Sequence, residues 1–173
     1  AIKRDKKFAK SINKALEEIY GNNTNAFLNA INRLVKLGFR VAKIWPPNIS
    51  TIVDSSMQKH VQELINEFNE DILKREELLD IGLEIESQFS AYFNEKWNAL
   101  KKEVTDYLQD NLGEDNGYMA MMLSGGKGDE NNILQIFGLK GRVQKNDITA
   151  FNSIISGSYS QQLTGLEGFV SAY

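Results

Sequence analysis

Apolar side chains recur at steps of three and four along most of this chain, the rhythm of helices that bury one face. Phe8, Ile12, Leu16 and Ile19 mark a first helix, which Tyr20-Gly21-Asn22-Asn23 stops. Phe27, Leu28, Ile31, Leu34, Val35 and Leu37 give a second helix a wide apolar stripe. Thr24 or Asn25 caps it, and Trp45-Pro46-Pro47 ends it, because two prolines cannot continue a helix. A third helix starts at Asp54 or Ser55 and carries Met57, Val61, Leu64, Phe68 and Ile72. A fourth, from about Leu83, carries Ile85, Phe89, Phe93, Trp97, Leu100, Val104 and Leu108. Two consecutive seams with a polar tip near Lys74 to Gly82 predict an antiparallel coiled-coil hairpin over 51–112; a plain αα-hairpin packed on a core fits the same pattern.

Beyond the fourth helix the pattern loosens. Asn111 to Gly117 reads as a loop. Ser124-Gly125-Gly126-Lys127-Gly128 then packs three glycines around one lysine, and Asn131 to Leu139 alternates apolar and polar residues like a short helix. Gly138 and Gly141 punctuate its exit. Val143 to Ile155 is expected to be an irregular excursion with one short strand. Ser156-Gly157-Ser158 turns into a final helix with Thr164 as its N-cap. The expected fold class is mainly α, an antiparallel coiled-coil hairpin plus packed helices and an irregular glycine-rich loop region.

Composition narrows the function classes. The chain of 173 residues has one domain's length and a net charge of −3, so no global basic field advertises a free-standing DNA-binding protein. It contains no cysteine, hence no disulfide framework and no cysteine zinc site, and the reducing cytoplasm is the default compartment. No apolar run approaches the roughly 18–20 residues that cross a bilayer. The N-terminus has no signal core and no initiator Met, which reads as a piece of a longer polypeptide. His60 is the only histidine; without a second His or a Cys it lacks partners for a metal site or a Ser/His/Asp constellation, and a surface position is expected. The carboxylates sit at helix-surface spacing, and none forms the Asp-x-Asp-x-Asp cluster that holds two Mg²⁺.

Two charged regions carry a choice of readings. Lys3, Arg4, Lys6, Lys7, Lys10 and Lys14 make the first helix basic, a solvated face or a nucleic-acid contact. Glu63, Glu67, Glu70, Asp71, Glu76, Glu77, Asp80, Glu84 and Glu86 make the hairpin acidic, which repels phosphate and suits a solvated face or a protein-docking surface.

The glycine-rich loop is the candidate site. Glycines let backbone N–H groups approach a ligand, successive N–H groups form an anion-binding concavity, and Lys127 adds a mobile charge. The spacing is not that of a P-loop, because Met121 stands where its first glycine belongs and Gly128 where Ser or Thr must follow the lysine. On local physics alone, the glycines also serve simply to turn the chain into a helix.

The stretch Tyr118 to Arg142 resembles the F-loop of the largest subunit of multisubunit DNA-directed RNA polymerases, whose pattern is S-G-[AS]-[KR]-G-S-x-x-[QN]-I-x-Q-[LM]-x-G. Ser124, Gly125, Lys127, Gly128, Asn132, Ile133, Gln135 and Gly138 match it without a gap; Gly126, Asp129 and Ile136 depart. Downstream, Ser158 to Ser171 resembles the N-x-x-x-G-L-x-x-x-[EQ]-[YF]-F run that opens the bridge helix, with Gln162 in place of Gly and Gly168 in place of an aromatic residue. Leu37-Gly38-Phe39 resembles the Gly-Phe element leading into the funnel region, while Pro46-Pro47-Asn48 replaces a Gly-Ile-rich strand of cellular relatives.

The resemblance implies a segment of a larger multisubunit assembly: funnel-like helices over 1–50, a rim-helix hairpin over 51–112, an F-loop region over 113–155 and a truncated start of the bridge helix over 156–173. It implies a part in RNA synthesis, shaping the channel by which nucleoside triphosphates reach the active site. Lys127 would contact the NTP phosphates, Ser124, Gly125, Gly126 and Gly128 would supply loop backbone, and Asn132 and Gln135 would brace the bridge helix and trigger loop. The aspartate box N-A-D-F-D-G-D of the family is absent, so the chain has no catalytic residue of its own and binds no cofactor, Mg²⁺ being held elsewhere in the enzyme. The implied partners are other polymerase subunits, NTP, template DNA and RNA product, with protein factors at the acidic hairpin and no membrane. The departures and the Asn/Lys/Ile-rich composition fit a divergent, virus-encoded enzyme working in the host cytoplasm. The competing class is a non-enzymatic interaction module built on the hairpin.

Overall fold

The computed structural model describes residues 7–44, 53–113, 116–123, 128–144 and 150–172. Its order is α1 (Lys7–Tyr20), α2 (Thr24–Ile44), α3 (Ser55–Asp80), α4 (Glu86–Asn111), α5 (Gly117–Leu123), α6 (Glu130–Ile133), a π-helical turn (Leu134–Gly138), β1 (Gly141–Gln144), β2 (Ala150–Ile155) and α7 (Gly165–Ala172). The fold is mainly α. It divides into two compact units, one of residues 1–50 with 113–128 and one of residues 51–112 with 129–173.

The first unit contains the helical pair α1–α2 and the short α5. The turn between α1 and α2 is closed by Asn23, whose backbone N–H donates to the Tyr20 carbonyl at 2.6 Å. The Asn23 side chain accepts from Ala26 N–H at 3.0 Å, so the cap of α2 is Asn23 rather than Thr24 or Asn25. α2 runs unbroken through Gly38 and ends at Ile44; Trp45, Pro46 and Pro47 lie outside the described residues. Its apolar stripe is present but uncovered: Leu28, Leu34, Val35 and Leu37 are all exposed, and no residue of α2 is buried. Asn116 caps α5, its side chain accepting from the N–H groups of Tyr118 at 3.0 Å and Met119 at 3.3 Å.

The second unit is built on α4. Contacts between α3 and α4 pair His60 with Tyr107, Phe68 with Phe93 and Asp71 with Tyr92, an antiparallel sequence that Arg75 continues by pairing with Glu84 in the turn before α4. Asp54 caps α3 through its carboxylate, as its position before the apolar run predicts. The buried seam is Met57, Val61, Ile65, Phe68 and Ile72 against Phe89, Phe93, Leu100, Val104 and Leu108. Ile65 takes the place expected of Leu64, because four-residue steps from Met57 keep the seam on the helix side that faces α4. The tip differs from expectation. α3 continues to Asp80, and the turn beyond it presents Ile81, Leu83 and Ile85 to solvent at 60–76% exposure, so the tip is apolar rather than polar.

Two of the acidic residues are held in specific pairs. Asp71 accepts from Tyr92 Oη at 2.7 Å and pairs with Lys96 Nζ at 2.6 Å, while the buried Glu84 takes Arg75 Nη2 at 2.7 Å and Nε at 2.9 Å. The Lys96 ammonium, then the Tyr92 hydroxyl, holds the Asp71 carboxyl below its usual range. His60 is half-exposed, its ring 4.3 Å from that of Tyr107.

On its other side α4 receives α6 and the π-helical turn, burying Ile133, Leu134, Phe137 and Leu139. The turn is closed by Leu139 N–H donating to the Leu134 carbonyl at 2.8 Å, an i to i+5 bond. The region expected to hold one strand holds two: β1 and β2 pair antiparallel, with Gly141 opposite Ile155 and Arg142 opposite Ile154, and a bulge before Gln144. Arg142 fixes this hairpin to α4. It donates to Asn152 Oδ1 at 3.1 Å and to Asn94 Oδ1, and Asn152 Nδ2 donates to Ser90 Oγ at 2.9 Å.

Candidate functional site

Ser124, Gly125, Gly126 and Lys127 lie outside the described residues. The described chain resumes at Gly128, whose φ is +94°. A Cβ added there would stand 2.5 Å from Tyr118 Oη and 2.9 Å from its Cζ, so the phenol ring lies directly on the glycine. Both the left-handed backbone and the contact exclude a side chain at the residue after Lys127. Tyr118 is buried and sits on α5; nothing in its sequence context singled it out.

Asp129, Asn132 and Gln135 follow in the second unit. Asp129 Oδ1 accepts from Asn132 N–H at 3.0 Å, and Asn132 Oδ1 accepts from Asp129 N–H at 3.2 Å. This reciprocal capping box starts α6. Asp therefore serves at the position where the polymerase pattern has Ser, since both residue types cap helices well. The exposed Asn132 side chain is engaged in this cap.

Gln135 contributes through its backbone. A helix end leaves carbonyls without intrahelical donors. Here Tyr159 N–H donates to the Gln135 carbonyl at 3.0 Å, and Ser160 N–H to the Ile136 carbonyl at 2.9 Å. Lys140 N–H donates to the Gly157 carbonyl at 2.7 Å. Residues 157–160 are thus laced to residues 135–140 by three main-chain bonds. Ser158 is fully buried beneath this lacing; its Oγ lies 3.1 Å from Ser160 Oγ and accepts from Gln161 N–H at 3.3 Å.

The same segment is tied forward to α7 by Glu167. Thr164 Oγ1 accepts from Glu167 N–H at 3.2 Å, and Glu167 Oε2 accepts from Thr164 N–H at 2.9 Å, a second capping box that confirms Thr164 as the cap. Glu167 Oε1 also accepts from Gly157 N–H at 3.0 Å. These backbone donors, Thr164 first and Gly157 next, hold the Glu167 carboxyl below its usual range. The T-x-x-E spacing was the available sign of this role; the Gly157 bond had none.

Gln162 lies between the two. It has φ +70°, the one non-glycine residue with positive φ among the described residues, and it occupies the position where the polymerase pattern has Gly. A left-handed non-glycine residue costs about 1–2 kcal/mol. Gln162→Gly is expected to raise the unfolding free energy by about 0.5–1 kcal/mol in urea denaturation, the looser unfolded chain offsetting part of the relief. No gain would mean that the Gln162 side chain stabilises the turn as much as its backbone strains it.

Among the described residues no group of three His, Cys, Asp or Glu could hold a metal ion, and no helix is long and apolar enough to cross a membrane.

Comparison with known proteins adds the family. The family model described as RNA polymerase Rpb1, domain 4, matches residues 74–167, which takes in part of the α3–α4 hairpin, both capping boxes and the lacing between them. The chain is similar to the DNA-directed RNA polymerase subunit beta' of Caldicellulosiruptor saccharolyticus, at 27% identity over 98% of this chain and 14% of that protein. It is similar to the subunit beta' of Alkaliphilus oremlandii at 28% identity over 95% of this chain and 14% of the relative, and to that of Fusobacterium nucleatum at 26% identity over 97% and 12%. The chain therefore spans about one seventh of the length of these relatives. With a model matched across more than half of its residues, the chain belongs to the RNA polymerase Rpb1 domain 4 family.

Proposed function

We propose that this chain is part of the largest subunit of a DNA-directed RNA polymerase, acting in nucleotidyl transfer only within the assembled enzyme. Its hairpin corresponds to the rim helices and residues 113–155 to the F-loop region. Residues 156–173 correspond to the start of the bridge helix, and residues 1–50 to the funnel-like helices. Lys127 contacts the phosphates of the incoming NTP from a loop whose backbone is Ser124, Gly125, Gly126 and Gly128. The observation that carries this reading is the lacing of residues 157–160 onto the carbonyls of Gln135 and Ile136. A segment that braces the start of the bridge helix must hold it firmly, because small displacements near reacting atoms cost about 10²-fold. Gln135 supplies that support through its main chain, and Asn132 by capping α6, which runs directly into the turn that carries Gln135.

The test begins with the tagged full-length parent. It is expected to co-purify with a chain carrying N-A-D-F-D-G-D and with a second large subunit. In that complex, Lys127→Ala is expected to raise the NTP concentration for half-maximal elongation by roughly ten- to a hundredfold, equivalent to losing one charged hydrogen bond of about 1.5–3 kcal/mol. Lys127→Arg, the alternative in the family pattern, is expected to retain most of the rate. An unchanged NTP dependence in the Ala variant would remove the phosphate role.

The hairpin tip supports a second, compatible role. Ile81, Leu83 and Ile85 form an exposed apolar cluster at the end of an otherwise charged hairpin, which suits protein docking better than the acidic faces do.

A further inference from the structure

No residue of α7 is buried, so no packed face aims this helix. Its first turn is held instead by the half-buried Glu167. Oε1 accepts from Gly157 N–H at 3.0 Å and, more weakly, from Ser156 Oγ at 3.5 Å. Oε2 accepts from Thr164 N–H and from Thr164 Oγ1, each at 2.9 Å. Thr164 Oγ1 itself accepts from Glu167 N–H, which leaves its hydrogen to reach Oε2. Both carboxylate oxygens therefore face donors, a demand that a carboxamide with its single oxygen cannot meet. The fit is close in shape as well. A Cβ added at Gly157 would stand 3.0 Å from Oε2 and 3.2 Å from Oε1. Gly157 is the junction: its N–H donates to Glu167, and its carbonyl accepts from Lys140, the residue before β1. A continuous polar path thus runs from α7 through Glu167 and Gly157 to the end of the π-helical turn.

We infer that Glu167 is a positioning residue for nucleotidyl transfer, setting where α7 starts by fastening it to Gly157. The inference rests on the polymerase reading of residues 113–173 and goes beyond it, because that reading gives Glu167 no part in the reaction. The competing role is a plain helix cap, whose loss costs stability alone. The two roles differ at Gly157. A capping box is complete with Thr164 and Glu167. Gly157 lies outside α7 and adds nothing to the cap, yet it takes one of the two oxygens. Because both oxygens are engaged, Glu167 acts through the placement of α7 and not on the nucleotide. Its loss should therefore lower the rate at saturating NTP and leave NTP binding near the parental value.

The test measures elongation rate against NTP concentration in the complex purified through the tagged full-length parent. Glu167→Gln keeps the shape of the side chain but leaves one oxygen to accept, so the bonds to Gly157 and Thr164 cannot both persist. It is expected to lower the maximal rate by roughly ten- to a hundredfold, with the half-maximal NTP concentration changed by less than about twofold. Gly157→Ala crowds the same carboxylate from the other side and is expected to act likewise. The double variant is expected to be no slower than the slower single, because both substitutions break one tie. The isosteric Glu167→Gln carries the test even if Gly157→Ala does not assemble. A parental maximal rate in Glu167→Gln, or an effect on half-maximal NTP concentration alone, would overturn the inference. So would a lower yield of complex with an unchanged rate per complex, which would leave Glu167 as a cap. Lys127→Ala, measured alongside, keeps the two readings apart. If it shifts the NTP dependence while Glu167→Gln changes nothing, this inference alone fails; if no polymerase subunit co-purifies, both fail.

Discussion

Replacing Phe93 by Ala is expected to lower the unfolding free energy by about 4 kcal/mol, toward the upper part of the range for truncated core aromatics. The side chain is 1% exposed and sits where three elements meet. Its ring lies edge-on to Phe68 of α3, with centroids 5.5 Å apart and planes at 76°, a geometry that adds to simple burial. The Arg142 guanidinium lies 5.1 Å from its centroid on another side. Truncation therefore opens a cavity in the α3–α4 seam and removes the surface on which the β1–β2 hairpin rests its arginine. Urea denaturation of the intact polypeptide should show a lower midpoint with little change in slope. Phe93→Leu, which keeps most of the volume, should cost less than half as much. A loss below about 2 kcal/mol for the Ala variant would mean that the seam closes over the gap and that Phe93 is not the junction.

The α3–α4 hairpin was readable because two long helices each carry a sustained apolar seam, and a period of three and four kept up over that length points to little besides a helix pair. Even there the pattern left Leu64 and Ile65 unresolved, as adjacent apolar residues satisfy it almost equally and only the facing helix chooses between them. The tip was misplaced for a related reason. Charged residues from Lys74 to Asp80 resemble a polar turn, yet they are good helix formers and continue α3 for nearly two more turns. Asp71 and Glu84 looked like surface charges because their cationic partners, Lys96 and Arg75, lie 25 and 9 residues away. The second strand was missed because a ladder of one pair carries no local period to detect.

The candidate site divides along the same line. Thr164 was legible from its own side chain and the local T-x-x-E spacing, and Asp129 with Asn132 has a comparable local form. The lacing of Tyr159 and Ser160 onto Gln135 and Ile136 uses backbone donors and acceptors that every residue possesses, so no residue type announces it. Gln135 was singled out by resemblance, and its described contact is through its carbonyl. Gln162 is the instructive departure: the glycine of the pattern has gone, but the left-handed backbone that calls for one has stayed.

Gly141→Ala is expected to cost about 3 kcal/mol, from two sources that can be separated. The φ of +90° alone penalises a side chain by about 1–2 kcal/mol. The added Cβ would also stand 2.7 Å from Trp97 Cη2 and 3.1 Å from Cζ2, and relieving that contact should cost about 1–3 kcal/mol more, as for other overpacked sites. Gly82 isolates the first source. Its φ is +77° with nothing within 4 Å of where a Cβ would stand, so Gly82→Ala should cost only about 1 kcal/mol. Trp97→Leu isolates the second: combined with Gly141→Ala it should recover most of the clash, giving a coupling energy within the range of about 0.5–3 kcal/mol seen for residues in contact. The effect should reach the candidate site. Gly141 pairs with Ile155 and directly follows Lys140, whose N–H holds Gly157, so moving β1 away from Trp97 strains the lacing of residues 157–160. Hydrogen exchange at the Lys140, Tyr159 and Ser160 amides should accelerate in Gly141→Ala and stay near the parent rate in Gly82→Ala. Equal costs for the two variants would show that Trp97 yields freely and that backbone conformation alone requires glycine at 141.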